Sequence, residues 1–415
     1  MTLSEELTWR GFINQTSYKD ITAVDNGVVS FYFGVDPSSD SMTIGNLASA
    51  MMVRQFISHG HKAYLLVGGA TGMIGDPDGK SEERQLQSLE QIDNNKKAIA
   101  AQYNQVFSGQ DFTLVDNYDW FKDMNYLDFL RDIGKHVPTR QMLGRDFIQS
   151  RLGENSSGIS YAEFSYSLIQ GYDFLYLHQN MGVDLQLCGA DQWGNSVTGV
   201  DLIRRITGDE VNVWSSPLIV NKATGVKFGK TEDGAIWLDP NKTSPTAFYQ
   251  FWVNCDDQGL EDYLKVYTLL TKDEIDSLVS EHSSNPGART GQKRLAEEVT
   301  KLIHGDQNAE LAKQVTGYLT QEYSIDQAEQ NIIEALRQEI PSLRTTADGS
   351  ILDALVEAGL ASSKGEARKL IAGRGISANG KLVERDNFEQ TDFNQGRLIL
   401  RRGKAFKDSA LVELS

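Results

Sequence analysis

The sequence predicts an α/β chain: a parallel sheet in its first half, then a helical block, then a small α+β unit. Three features carry that expectation. A strand pattern, a helix pattern, a second strand pattern and a glycine-rich turn follow one another between Val28 and Asp76. After about residue 240 the glycine-rich turns give way to helical spacing. From Ile351 a compact helical stretch leads into short strand patterns. Strand–helix–strand order with a glycine turn is how a parallel sheet begins.

Taken in order, Glu5 to Gln15 has the spacing of a short amphipathic helix. Val28–Val35 is rich in β-branched and aromatic residues and stops at Asp36-Pro37, as a strand does. Leu47 to His59 places Met51, Met52, Phe56 and Ile57 on one helical stripe. Lys62–Val67 is a second strand, running into Gly68-Gly69-Ala70-Thr71-Gly72-Met73-Ile74-Gly75-Asp76. Sheets of this kind bind ligands beyond the carboxyl ends of their strands, where Asp36 and Asp76 fall. Further strands are expected at Asp111–Asn117 and Val183–Cys188, and helices at Thr290–His304 and Asp326–Glu339. Pro341 to Gly349 reads as a linker, and Lys381–Val383 and Arg397–Arg401 as strands. The expected domains are 1–235, 236–335 and 351–415, with 336–350 linking the last two.

Composition narrows the class. The chain has 415 residues, 40% hydrophobic and 23% charged, which fits a globular protein of two or three domains. No apolar run approaches the roughly 18 residues of a membrane span. The first six residues lack a signal peptide's basic start, and two cysteines, Cys188 and Cys255, make no disulfide framework. A reduced, cytoplasmic protein is expected. A net charge of −17 argues against nonspecific coating of nucleic acid, since phosphate contacts require Lys and Arg. The acid is uneven, however. From Ile351 onward eleven Lys and Arg stand against nine Asp and Glu, a net of +2, which leaves −19 on the first 350 residues. Such a tail suits a polyanionic partner, and chance fluctuation in a short window gives the same pattern.

Two stretches approach a phosphate-binding P-loop. Gly75–Ser81 and Gly225–Thr231 both end in Gly-Lys-Ser/Thr, yet each is one residue short between its glycines. Pro77 also removes a backbone donor from the first. Another arrangement accounts for both. Ser38, Thr43, Asn46 and Ser49 crowd the start of the helix after the first strand, and Gly45 allows close backbone approach. Helix N-termini attract phosphate, and the same residues also serve as ordinary caps. Lys227-Phe228-Gly229-Lys230-Thr231 would close on the triphosphate as a lysine-bearing glycine turn, or stand as a solvated loop.

These segments resemble the bacterial tyrosyl-tRNA synthetases. Thr43-Ile44-Gly45-Asn46 is similar to the class I His-Ile-Gly-His signature, and Lys227–Thr231 to the Lys-Met-Ser-Lys-Ser signature. Leu66–Pro77, Asn117–Trp120, Phe129–His136, Glu163–Tyr166, Gln170–Phe174 and Asp191–Asn195 extend the likeness along nearly the whole chain. The resemblance implies a Rossmann-type catalytic domain, a helical tRNA-contacting domain and a small RNA-binding domain. It implies that Tyr32 and Asp173 hold a phenol hydroxyl, that Asp76, Tyr166 and Gln170 surround an α-ammonium, and that Gln192 lies near the carboxylate. It further implies Asp36, Ser38, Gly45, Ser49, Gly189 and Asp191 for ATP, with Thr43 and Asn46 in the signature and Lys80, Arg84, Lys227, Lys230 and Thr231 stabilising the transition state.

The implied reaction is attack of the tyrosine carboxylate on the ATP α-phosphate, then transfer to tRNA(Tyr). Mg²⁺ comes only with ATP, no cofactor is tightly held, no histidine spacing suggests a metal, and the family is a homodimer with an interface around Phe129–Met142. Rejection of phenylalanine by a hydroxyl-reading pocket is an established property of this enzyme class and is taken as given. Thr43 replaces a histidine, and Phe33 a frequent cysteine; weaker ATP binding or slower activation is the expected consequence. Ser362–Gly380 resembles a small RNA-binding unit in which Lys364, Arg368, Lys369 and Arg374 face phosphates, a solvated basic helix being the other reading. Trp120, Trp193 and His136 read as structural. A tryptophanyl-type enzyme and a noncatalytic synthetase-like RNA-binding protein are the rival readings.

Overall fold

The protein is described by a computed structural model of residues 1–415, apart from 78–85, 145, 153–157, 232–233 and 404–405 and the side chains of 141, 146, 147, 150, 230, 231 and 406. The chain divides into two compact units, one of residues 1–242 and 255–291, the other of 243–254 and 292–415.

The first unit is built on a six-stranded sheet. Its strands are β1 (Gln15–Thr16), β2 (Ser30–Val35), β3 (Lys62–Val67), β4 (Phe112–Asp116), β5 (Leu185–Gly189) and β6 (Asn212–Ser216). Their order is β1-β6-β5-β2-β3-β4, all parallel except β1 against β6. The chain therefore runs outward from β2 in one direction and resumes at β5 on the other side. That reversal opens a crevice at the carboxyl ends of β2 and β5, the place where such sheets take ligands. β2 and β3 are almost wholly buried, as strands covered on both faces must be. Helices Ile44–Ser58, Leu89–Val106, Tyr161–Met181 and Trp193–Ile206 cover the faces.

The first helix is shorter than its periodicity suggests. It spans Leu3–Arg10 because Gly11, at φ +78°, ends it in a left-handed cap. Arg10 is buried and donates to the carbonyls of Lys265, Thr268 and Leu270, at 2.8, 3.0 and 2.9 Å. A guanidinium satisfied by three carbonyls fixes this helix more firmly than its apolar face alone.

β7 (Lys230–Thr231) and β8 (Gly234–Ala235) form a two-stranded hairpin. The second unit holds β9 (Ser342–Thr345), β10 (Ile376–Ala378), β11 (Lys381–Leu382), β12 (Arg397–Arg402) and β13 (Ser409–Leu414), in the order β11-β10-β12-β13-β9. The stretch 336–350, expected as a linker, thus contains a strand, which pairs in parallel with β13. Its alternation of a buried Leu343 between exposed neighbours is too short to stand out in the sequence. The helix predicted at Thr290–His304 continues to Thr320, with Gly305 breaking the helical dihedrals at φ +81°. The one predicted at Asp326–Glu339 begins at Gln330, after a single 3-10 turn at Ile325–Gln327.

Candidate active site

A pocket at the carboxyl ends of β2 and β5 gathers most residues that the sequence singles out. Tyr32 and Asp36 come from β2 and its exit, Gly189, Asp191 and Gln192 from the exit of β5, and Tyr166, Gln170 and Asp173 from the Tyr161–Met181 helix. Ser38, Thr43, Gly45, Asn46 and Ser49 line it from the start of the Ile44–Ser58 helix, with Asp76 and Lys227 completing the rim. Lys80 and Arg84 lie outside the described residues, as do the side chains of Lys230 and Thr231. Lys364, Arg368, Lys369 and Arg374 are exposed in the second unit.

One side of the pocket is a buried polar lattice. Asp173 accepts from Trp120 Nε1 at 2.9 Å and from Asn117 Nδ2 at 3.1 Å. The same Asn117 amide nitrogen donates to Thr71 Oγ1 at 3.0 Å, and that hydroxyl donates to Asp36 Oδ1 at 2.6 Å. Tyr166 donates to the other Asp36 oxygen at 2.6 Å. Asn117 Oδ1 in turn accepts from the Ala70 backbone at 2.7 Å. Every hydrogen of this chain is assigned, so its geometry is rigid. Gly68 makes room for it: a Cβ there would sit 2.1 Å from Asp36 Oδ1 and 2.3 Å from Thr71 Oγ1.

Burial pushes Asp173 up to about 8, against the downward pull of its two donors and with help from the charges of Asp36 and Asp116. Burial, followed by the field of Asp173, holds the Tyr32 hydroxyl protonated far above the usual phenol range. Tyr166 is raised for the same reason, with Asp36, Asp76 and Asp173 adding to it. Asp36, Asp76 and Asp173 therefore share one small space, where crowding of acids favours a retained proton or a bound cation. Tyr32 Oη, Gln170 Oε1 and Gln186 Oε1 are buried without a hydrogen-bond partner among the described residues. Tyr32 and Gln186 are register partners on β2 and β5, so both project to the same face. Buried polar atoms left open in this way point to a bound polar group. Gln192 donates to Asp76 and is itself held by Asn195 Nδ2 at 3.2 Å.

The other side of the pocket is built for anions. The Ile44–Ser58 helix starts there with Gly45 and Asn46, and free N–H groups at a helix start favour negative charge. The lysine turn is laid against that helix start. Gly229, at φ +84°, packs so tightly that a Cβ would lie 2.4 Å from Ile44 Cγ1. Ile44 N donates to Ile236 O at 3.1 Å, and Leu238 N to Met42 O at 2.9 Å. Phe228 is buried and stacks on Tyr263 at 4.2 Å between centroids, fixing the root of the turn. Lys227 stands 3.7 Å from Asp191 and is half exposed. Ser49 Oγ lies 2.9 Å from Ser216 Oγ.

The chain is similar to known proteins along nearly its whole length. The family described as tRNA synthetases class I (W and Y) matches residues 25–319, and the tyrosine–tRNA ligase SYY-like C-terminal domain matches 331–407. A tyrosine–tRNA ligase 1 of Enterococcus faecalis is 42% identical over 97% of this chain and 98% of its own. The chain belongs to the tyrosine–tRNA ligases. A tyrosine–tRNA ligase of Bacteroides thetaiotaomicron is 41% identical over the same shares. Among solved structures, a C-terminally truncated mitochondrial tyrosyl-tRNA synthetase of Aspergillus nidulans matches with TM-score 0.69 and 30% identity, covering 77% of this chain and 94% of that one. A Plasmodium falciparum tryptophanyl-tRNA synthetase matches at TM-score 0.54 and 16% identity, over 75% and 86% of the two chains, a likeness of fold alone. Neither the tryptophanyl nor the noncatalytic reading is favoured by relatives of this kind.

Trp120 does not line the pocket; its indole N–H is one of two donors to Asp173, so its structural role is to hold that pocket residue in place. Sequence reasoning misses Asn117, Thr71 and Gln186 as site residues. Asn117 stands in a matched segment with Trp120, and that is the signal that could have found it. Gln186 sits in an apolar strand pattern, where nothing marks a polar side chain as pocket-lining.

Proposed function

We propose that this pocket binds L-tyrosine and ATP side by side and forms tyrosyl-adenylate, with pyrophosphate leaving. The observation that carries the reading is the polarity of one cleft. Three carboxylates and an open phenol lie on one side, and a helix N-terminus with a lysine turn on the other. A zwitterionic amino acid beside a triphosphate fits that division of charge.

In this reading Tyr32 and Asp173 meet the substrate phenol, which donates to the carboxylate in a charge-assisted bond. Phenylalanine would leave Tyr32 Oη unanswered and Asp173 without the donor it gains from the phenol, hence its rejection. Asp76, Tyr166 and Gln170 receive the α-ammonium, and Gln192 the carboxylate. Asp191 and Gly189 meet the ribose, with Asp36, Ser38 and Ser49 nearby. Gly45 and Asn46 approach the phosphates, and Lys227, Lys230, Thr231, Lys80 and Arg84 neutralise the departing pyrophosphate. The protein forms no covalent bond in this scheme; positioning and preorganised charge lower the barrier. Mg²⁺ arrives on the ATP as part of that substrate. Among the described residues no group of three His, Cys, Asp or Glu is arranged to hold a metal.

The second step passes the tyrosyl group to tRNA(Tyr), with the helical block and the C-terminal basic residues as its grip. A homodimer joined around Phe129–Met142 is proposed too, since the neighbouring Tyr126 and Leu127 are exposed. No helix among the described residues is long and apolar enough to cross a membrane, and the cytoplasm is the proposed location. Exchange of labelled pyrophosphate into ATP, run across the twenty amino acids, tests the core of the reading. Tyrosine alone should support it; exchange with tryptophan, or with none, would overturn it.

A further inference from the structure

Thr43 and Asn46 stand one helical turn apart at the start of the Ile44–Ser58 helix, and both line the pocket. Thr43 N lies 2.9 Å from Asn46 Oδ1, and Thr43 Oγ1 lies 3.0 Å from the same oxygen. A backbone N–H can only donate, so the amide atom facing it must be the oxygen. The hydroxyl then donates to that oxygen as well, and its one hydrogen is spent there. Both acceptor sites of Asn46 Oδ1 are filled by a single neighbour. What remains is Asn46 Nδ2, a two-hydrogen donor with no partner among the described residues. Its orientation is set entirely by Thr43.

Thr43 itself is pinned from behind. It bridges to Trp237 in an isolated antiparallel pair, and the adjoining Ile44 N–H donates to Ile236 O at 3.1 Å. The donor direction of Asn46 is thereby referred to the segment that follows the lysine turn.

We propose that Thr43 is a positioning residue: it locks the Asn46 side chain so that Nδ2 donates to an oxygen of the bound nucleotide, and makes no phosphate contact of its own. The inference rests on the reading of this cleft as the ATP site. A histidine at this position would offer a charged donor; a threonine whose hydrogen is committed cannot. The loss is answered by fixing the next polar side chain along the helix face.

The test is tyrosine-dependent pyrophosphate exchange with the full chain, comparing wild type, Thr43→Val, Thr43→Ser, Asn46→Ala and the double variant Thr43→Val/Asn46→Ala. Valine keeps the shape and removes only the hydroxyl, and thermal midpoints check that each variant folds. Thr43→Val should raise the KM for ATP about tenfold, the order of one missing hydrogen bond, with the KM for tyrosine unmoved. Thr43→Ser should restore it to within about twofold, since the hydroxyl returns. Asn46→Ala should lose at least as much as Thr43→Val, in which the backbone N–H still holds Asn46 Oδ1, and the double variant no more than Asn46→Ala alone, because a positioning residue has nothing left to position. Multiplying losses in the double variant, or a serine variant as impaired as the valine one, would give Thr43 a contact of its own and overturn the proposal. A wild-type chain that supports no exchange with tyrosine fails at the earlier step, and removes the reading of the cleft together with the inference.

Discussion

The indole Nε1 of Trp120 lies 2.9 Å from Asp173 Oδ1, and both side chains are buried. A tryptophan spent on orienting one carboxylate links the short helix Tyr118–Phe121, which follows β4, to the helix Tyr161–Met181. It also makes Asp173 a fixed acceptor before any ligand arrives.

Removing that donor should weaken tyrosine binding specifically. Trp120→Phe is expected to raise the KM for tyrosine roughly tenfold to thirtyfold, from the loss of about 1.5–2 kcal/mol in a bond to a charged group. The KM for ATP should stay unchanged, and steady-state exchange kinetics separate the two.

Asp173 also predicts a pH dependence. Its folded value of about 8 lies above the ordinary carboxylate value of 3.8. Between those two values the folded state holds a proton that the unfolded state has released, so stability falls as pH rises through that window. Thermal midpoints should drop more steeply between pH 5 and about 8 in the wild type than in Asp173→Asn. Tyrosine affinity has the opposite sign. The ionised carboxylate is the better acceptor for a phenol, so the KM for tyrosine should fall as pH approaches about 8, and the asparagine variant should lose that trend.

Gly68→Ala should be severe. The added methyl would overlap Asp36 Oδ1 and Thr71 Oγ1, and neither is free to withdraw because each holds the other. Exchange activity should fall by about a hundredfold or more, as expected when site groups are displaced by an ångström. Gly11→Ala, at a left-handed cap with open space around it, should cost only about 1 kcal/mol of stability.

Arg151 and Glu163 form a buried two-pronged pair, at 3.0 and 2.9 Å, and Glu163 sits in the first turn of the helix that carries Tyr166, Gln170 and Asp173. Glu163→Ala should destabilise the protein by about 3–5 kcal/mol, because it leaves a buried guanidinium without its carboxylate. Denaturant titration measures this, and Arg151→Met paired with Glu163→Leu should recover much of the loss.

Lys364, Arg368 and Arg374 each pair with an exposed acid, Asp353, Asp386 and Glu384. Such surface pairs are worth little and release their cations readily to phosphate. Replacing those three and Lys369 with alanine should lower tRNA affinity and flatten its dependence on salt. The slope should shrink by about one unit for each phosphate no longer held, read from binding curves at several ionic strengths.

The parallel sheet was legible because its strands are continuous apolar runs ended by glycine or proline turns, as Lys62–Val67 is by Gly68. Asp36 and Asp76 were legible because acids beyond strand ends have few structural duties, whereas Asp173, inside a helix, came only through the family resemblance. The bond from Trp120 to Asp173 was not legible, since a tryptophan reads as core until its N–H has a visible partner. The strand Ser342–Thr345 was missed because its partner lies near residues 411–414, and no local pattern encodes a pairing across that distance. The Arg10 staple is similar: its three carbonyl acceptors lie some 255–260 residues away.

In the lattice joining Asp173, Asn117, Thr71 and Asp36, every hydrogen points outward from Asn117 toward one of the two carboxylates. An amide nitrogen does not surrender its hydrogens, and the one hydroxyl hydrogen of Thr71 already faces Asp36. No Grotthuss-type hop can therefore cross it. Asp173 and Asp36 sense each other's charge through space, yet a proton gained by one cannot reach the other along this lattice.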